Sequence, residues 1–187
     1  MTSTINDMNR WKTLKSQYII RRPWLTARRD AVQLPNGEIN DEFYVLEYPD
    51  WVNIIAITPE GQFVFVRQYR YALDLDSIEL CAGVIDPGET PLQGAQRELL
   101  EETGYGGGQW REFMTIGQNP STCNNLTHCF IATGVQKLQD QHLDRTEDIE
   151  VTLLTRQEVL DLLNSDTLKQ ALMLAPLWKY FATSEQL

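Results

Sequence analysis

The chain has 187 residues, 42% of them apolar, and a net charge of -10. That length suits one domain with a full core, or a domain with a small appendage. The negative charge argues against a nucleic-acid backbone or an anionic membrane as the main partner, and an anionic ligand would have to be met by local arginines or by a cation. No stretch is apolar for long enough to span a bilayer. The opening residues MTSTINDMNRWKTLKSQ lack the apolar core of a signal peptide. Cys81, Cys123 and Cys129 are odd in number and lack metal-ligand spacing, so they read as reduced, buried thiols of a cytoplasmic protein.

In chain order, residues 1–16 read as a loosely held arm or a short helix. From Tyr18 to Pro49 the pattern is extended around the turn Pro35-Asn36-Gly37, a strong hairpin signal. This divides the chain into an N-terminal segment, 1–49, and a main domain, 50–187. WVNIIAIT (51–58) and QFVFVRQYR (62–70) flank Pro59-Glu60-Gly61 and predict a second hairpin. The first of these is apolar almost throughout, as in a strand buried on both faces. Strands follow at 77–85, 110–118, 126–135 and 149–154. His128 falls in a strand and His142 in a polar loop. Thr155 and Glu158 form a capping box for a helix through about Leu163. Asp166 or Thr167 caps a last helix with Leu168, Leu172 and Ala175 on its apolar face, and Pro176 kinks or interrupts it. Strands mixed with helices in this order predict an α/β/α sandwich around a mixed sheet.

The most informative stretch is GVIDPGETPLQGAQRELLEETGY, residues 83–105. Thr90 and Pro91 start a helix, Gln93 completes a capping box, and Gly104 stops it. Glu98, Glu101 and Glu102 stand at i, i+3 and i+4, so three carboxylates share one face. Like charges there weaken the helix, and a divalent cation would remove that cost; hard oxygen ligands suit Mg²⁺ or Mn²⁺. Leu92, Ala95, Leu99 and Tyr105 make the opposite, apolar side. Arg97 lies four residues before Glu101 and can pair with it. The bland alternative is a solvated acidic helix.

The register of Gly83, Glu89, Arg97-Glu98-Leu99, Glu101-Glu102 and Gly104 resembles the Nudix box, the signature of hydrolases that cleave a nucleoside diphosphate linked to another group. One position departs: the pattern ends in Ile, Leu or Val, and here it is Tyr105. Pro120, 16 positions after Gly104, resembles the ADP-ribose pyrophosphatase subgroup. So do the long N-terminal β segment and the pair VRQYRYAL and SIELCAGVI. The loop NPSTCNN departs from the Ser-Pro-Gly of many members, which bears on substrate. The resemblance implies a Nudix-type sandwich, a homodimer through the N-terminal strands, and an Mg²⁺-dependent reaction on a small nucleoside diphosphate. It implies Glu98 and Glu102 as metal ligands, with Glu101 as a further ligand or polarising neighbour. The Ala82 carbonyl is another ligand. Gly83 and Gly88 turn the loop, and Glu89 orients it. Glu147, with Asp144 and Asp148 as alternatives, is the acid that orients the attacking water or completes the metal set, and its bland alternative is a solvated loop carboxylate. Arg70 is the phosphate-side arginine, while Arg67, three residues away on one strand, points to the other face. Glu79 is a candidate for the ribose, and Trp24 and Trp51 for stacking on a base or for packing. Other substrates of the family, such as GDP-mannose, NADH or a diadenosine polyphosphate, stay open. A ligand sensor is disfavoured because all the box acids are retained.

Overall fold

The computed structural model describes residues 10–184. Contacts divide the chain into two units. One ends at Tyr48 and takes in Asn119–Asn125; the other comprises Pro49–Gln118 and resumes at Leu126.

The first unit is a three-stranded antiparallel sheet of β1 (Lys12–Arg22), β2 (Leu25–Gln33) and β3 (Ile39–Glu47) in that order. The sequence predicts one hairpin here, preceded by a loose arm. The arm is instead a strand from Lys12 onward, and the extended run breaks at Pro23-Trp24. Proline removes a ladder donor and fixes its φ, so the strand ends there. The earlier part of the arm lies outside the described residues. The Asn-Gly turn forms as expected, with Gly37 at φ 91 and its N–H bonded to Leu34 O at 2.9 Å. The segment 119–125 belongs to this unit because it bonds β3: Leu46 N–H donates to Thr122 O at 2.8 Å, and Asn124 N–H to Leu46 O at 3.2 Å.

The second unit holds a six-stranded mixed sheet. Its strands are β4 (Trp51–Ile57), β5 (Phe63–Arg70), β6 (Leu75–Val84), β8 (Gln109–Ile116), β9 (Thr127–Thr133) and β11 (Glu150–Leu154). The order is β11-β5-β6-β4-β9-β8, with β4 and β9 parallel. The predicted β4–β5 hairpin forms only at its mouth, where Ala56 faces Val64 and Ile57 faces Phe63. Beyond those pairs the two strands part and β6 enters between them. The short strands β7 (Tyr105–Gly106) and β10 (Gln136–Lys137) form a separate ladder.

Alternation of side chains sorts the core into two layers. Val52, Ile54, Val64, Cys81, Phe130 and Ala132 pack with Ala95 and Leu99 of α1 (Pro91–Thr103). Their sequence neighbours Ile55, Phe63, Phe65, Leu80 and Ile131 pack on the other face with α2 (Arg156–Asn164) and α3 (Ala171–Ser184). The sandwich is therefore the predicted one. Strand β4 is buried along most of its length. Leu92, read as part of the apolar side of α1, is exposed. Among the described residues no helix is long and apolar enough to cross a membrane.

The end of the chain departs from expectation. The last helix starts at Ala171, because Asp166 takes φ 56 and breaks the run. It continues through Pro176 rather than stopping there. Proline has no N–H for the carbonyl four residues back, that of Leu172. The buried Asn53 of β4 supplies the missing donor, its Nδ2 lying 2.7 Å from Leu172 O.

Candidate active site

β6 runs into the loop 85–90 and then α1, and this unit builds the site. Asp86-Pro87-Gly88-Glu89 is a tight turn, with Gly88 at φ 94 and Glu89 N–H bonded to Asp86 O at 3.0 Å. Proline before a positive-φ glycine is what a type II turn requires. Thr90 caps α1 and forms the predicted capping box with Gln93. Gly104 ends the helix at φ 71, and a β-carbon there would overlap Gln139 O. Gly83 is needed for a different reason. A β-carbon at Gly83 would overlap the carboxyl of Glu98, so the box carboxylate sits directly over the strand backbone.

Arg97 organises the acids. Its Nε donates to Glu89 Oε1 at 2.8 Å, and Nη2 to Glu89 Oε2 and Val84 O at 3.0 and 2.8 Å. Nη1 donates to Glu98 Oε1 at 2.9 Å and to Glu101 Oε2 at 3.0 Å. All five N–H donors of the guanidinium are used. The clamp on Glu89 ties the loop to the helix, and Glu89 also accepts from Asp86 N–H at 3.0 Å. Arg97 holds Glu89 below the usual carboxylate range.

Glu102 is buried and the Glu98 side chain is half-buried at 13% exposed, whereas that of Glu101 is 40% exposed. Burial pushes Glu98 up despite Arg97. Burial, with the charge of Glu98 added, pushes Glu102 up to about 7, against donors from Cys81 and the Ala82 N–H. The Ala82 N–H lies 3.2 Å from Glu102 Oε2. In an antiparallel strand the N–H and C=O of one residue point to the same edge. The β5–β6 ladder ends at Phe65 and Leu80, so the Ala82 carbonyl faces that free edge beside Glu102. Glu147 is exposed, and its charge raises both Glu98 and Glu102. Glu98 and Glu102, two carboxylates that resist ionisation without a cation, and the carbonyl are hard oxygen donors, and so they fit Mg²⁺ or Mn²⁺. Among the described residues no three acidic, His or Cys side chains form a ready-made metal cage. Mg²⁺ needs none, because it keeps waters and binds substrate phosphates.

Arg70 lies along the same edge. Its Nε and Nη2 clamp Glu79 at 2.8 and 2.5 Å, and the charge of Glu102 reaches it. Glu79 is buried, and both its oxygens are taken by Arg70, which does not favour the ribose reading. Glu79, Cys81 and Gly83 alternate on the α1 face of β6. The row thus passes from Arg70 on Glu79, to Glu102 above Cys81, to Glu98 above Gly83. Arg67 faces elsewhere, pairing with Asp76 at 2.6 Å. Trp51 is half-buried at the start of β4. Trp24 is 84% exposed at the β1–β2 turn of the N-terminal unit, to which Pro120 also belongs. His128 lies in β9 as predicted, with Nε2 3.4 Å from Asp50 Oδ2. None of the three cysteines is in a disulfide, and Cys123 is only half-buried.

Sequence reasoning missed the segment 137–142, which caps the end of α1. Its partners are backbone carbonyls, and no residue pattern marks them.

Profiles of two families match the chain: the nucleoside diphosphate sugar hydrolase N-terminal domain over residues 11–46, and the NUDIX domain over residues 47–175. The ADP-ribose pyrophosphatase of Bacillus subtilis (strain 168) is 30% identical over 155 residues, 82% of this chain and 83% of that protein. The methanol dehydrogenase activator of Bacillus methanolicus is 34% identical over 150 residues, 80% of each. The GDP-mannose pyrophosphatase of Citrobacter koseri (strain ATCC BAA-895 / CDC 4225-83 / SGSC4696) is 31% identical over 167 residues, 84% of this chain and 85% of that protein. A crystal structure of an ADP compounds hydrolase superposes with a TM-score of 0.84 at 19% identity, covering 96% of this chain and 97% of that one, and shares the fold. The chain belongs to the Nudix family, within its nucleoside diphosphate sugar hydrolases.

Gly83→Ala tests the seat of Glu98. The methyl group displaces the end of a flexible side chain, not backbone, so the unfolding temperature should barely change. Hydrolysis should fall roughly 100-fold, the cost of misplacing a reacting group by about 1 Å. A fully active Gly83→Ala protein would show that Glu98 is not needed where it stands.

Proposed function

We propose that this enzyme hydrolyses the diphosphate of ADP-ribose, or of a related nucleoside diphosphate sugar, to two monophosphates. The observation that carries the reading is the row along β6, where Glu98 and Glu102, two carboxylates that resist ionisation, stand beside a clamped arginine. Glu98, Glu102 and the Ala82 carbonyl would hold Mg²⁺ or Mn²⁺, with Glu101 at the margin. That cation, when bound, neutralises the diphosphate oxygens and eases departure of the leaving phosphate. Arg70, held by Glu79, keeps Nη1 for a phosphate oxygen. Glu147 accepts the proton of the attacking water. The water oxygen bonds to one phosphorus, and the bridging P–O bond breaks toward the other phosphate. Arg97 touches no substrate; it positions Glu98 and Glu101. Trp51 and Trp24 offer rings for the base.

β1 is exposed along its whole length and carries Leu14, Tyr18, Ile19 and Ile20. An exposed, apolar edge strand calls for cover, and a second copy of the chain supplies it in a homodimer. Cysteines outside any disulfide fit the cytoplasm.

The test is hydrolysis of ADP-ribose, GDP-mannose, UDP-glucose, NADH and a diadenosine polyphosphate, with Mg²⁺ and with EDTA. AMP released from ADP-ribose well ahead of the rest, and only with metal, is the expected result. Preference for GDP-mannose would keep the chemistry and discard the substrate. Equal rates in EDTA would overturn the metal assignment.

A further inference from the structure

The last carbonyls of a helix have no partner within it. In α1 one segment serves four in succession. His142 N–H donates to Glu101 O at 2.8 Å, and Gln141 Nε2 to Glu102 O at 2.7 Å. Lys137 Nζ donates to Thr103 O at 2.9 Å, and Leu138 N–H to Gly104 O at 2.8 Å. Gln141 differs from the others in what its second hydrogen does. The same Nε2 lies 3.0 Å from Ile149 O, beyond the far end of the loop that carries Glu147. An amide NH₂ has two donors, and here one holds the peptide of Glu102 while the other holds the exit of the loop. His142 at the entrance is tied to the adjoining Glu101 carbonyl. Both ends of the loop are therefore fastened to one turn of the box helix. Inside the loop a turn fixes the acid itself: Glu147 N–H bonds Asp144 O, and Asp144 N–H bonds Glu147 Oε2, each at 2.9 Å.

We propose that Gln141 is a positioning residue for hydrolysis: its side-chain amide bridges Glu102 O and Ile149 O, and so sets Glu147 against Glu98 and Glu102. The proposal rests on Glu147 being the water-orienting acid. The acid does not hold itself in place relative to Glu98 and Glu102, because its own bonds are confined to its loop. Losing the bridge frees the loop exit while leaving the capping box, the Arg97 clamp and the core untouched.

Gln141→Leu keeps the volume and removes both donors. It should lower kcat roughly 10- to 100-fold, as for partners that orient reacting groups, with KM unchanged. The amides of His142 and Glu147 should exchange with solvent faster by roughly tenfold, and that of Leu99 at its original rate. In a Glu147→Gln background, Gln141→Leu should cause no further loss, since both changes act through one carboxylate. Gln141→Asn, too short to reach both carbonyls, should show the same pattern, and it carries the test if the leucine variant does not fold. Wild-type kcat in Gln141→Leu, or a loss additive with Glu147→Gln, would overturn the role of Gln141 and leave that of Glu147 standing. Wild-type kcat in Glu147→Gln alone would remove the acid assignment, and the proposal with it.

Discussion

Glu102→Gln should abolish turnover while making the metal-free protein more stable above neutral pH. The two effects come from the same burial. A ligand carboxylate stabilises bound metal, and the metal contributes several kcal/mol to the transition state, so its loss costs roughly 1,000-fold or more in kcat. The stability effect has the opposite sign. Burial raises Glu102 from its ordinary 4.5 to about 7 in the folded chain. A carboxyl raised on folding favours the native state fully below its unfolded value, and that favour is lost as pH rises through the folded one. From pH 4.5 to about 7 and above, the metal-free wild type therefore loses on the order of 3 kcal/mol at this group. Glutamine carries no charge to bury, and its carbonyl oxygen still accepts from Ala82 N–H. In EDTA at pH 8 the variant should unfold roughly 5–10 °C higher than wild type, and at pH 4 the gap should close. Unfolding by circular dichroism across that range, with hydrolysis measured in Mg²⁺, checks both. Wild-type turnover would remove Glu102 from the metal set. A pH-independent gap would show that burial of its charge is not what limits the metal-free protein.

Which parts were legible in the sequence follows from where their physics is written. The nearly continuous apolar run WVNIIAIT marks a strand buried on both faces, and the order of strands and helices around it let the sandwich be read. Thr90-Pro91 with Gln93, and Thr155 with Glu158, carry their capping chemistry in the residues themselves. The spacing of Glu98, Glu101 and Glu102 on one helical face is likewise local. What escaped depends on contacts distant in sequence. The entry of β6 between β4 and β5 is a choice of neighbour. Pro176 inside α3 is tolerated because Asn53, more than a hundred residues earlier, donates to the freed carbonyl. That Arg70 takes both oxygens of Glu79 is likewise not visible in the local sequence. Gln141 binds only backbone, so no residue type signals its partners.

Arg97→Ala should be the most damaging substitution on the box that leaves every acid in place. Arg97 is 26% exposed, and its partners differ in worth. Glu101 is 40% exposed, so that pair contributes little in water. Glu89 and Glu98, at 22% and 13%, are shielded enough to matter. Leaving both unpaired, and Val84 O without its donor, should cost about 2–4 kcal/mol in the metal-free protein, discounted from the cost of breaking a fully buried pair. The pH dependence identifies the cause. Arg97 depresses Glu89, and a depressed carboxyl stabilises the fold above its unfolded value and stops doing so as pH falls through the folded one. The gap between wild type and Arg97→Ala should be widest near neutrality and shrink below about pH 4.5. Arg97→Lys restores the charge but not the planar fork that grips Glu89 through two atoms while reaching Val84 O and Glu98. It should recover part of the stability and little of the activity, with kcat down roughly 100-fold. Mg²⁺ should narrow the stability gap of Arg97→Ala, because it neutralises Glu98, but not close it, because Glu89 lies outside the metal set. Near-wild-type kcat in Arg97→Lys would show that charge alone suffices, and that the geometry of the guanidinium does not set the positions of the box carboxylates.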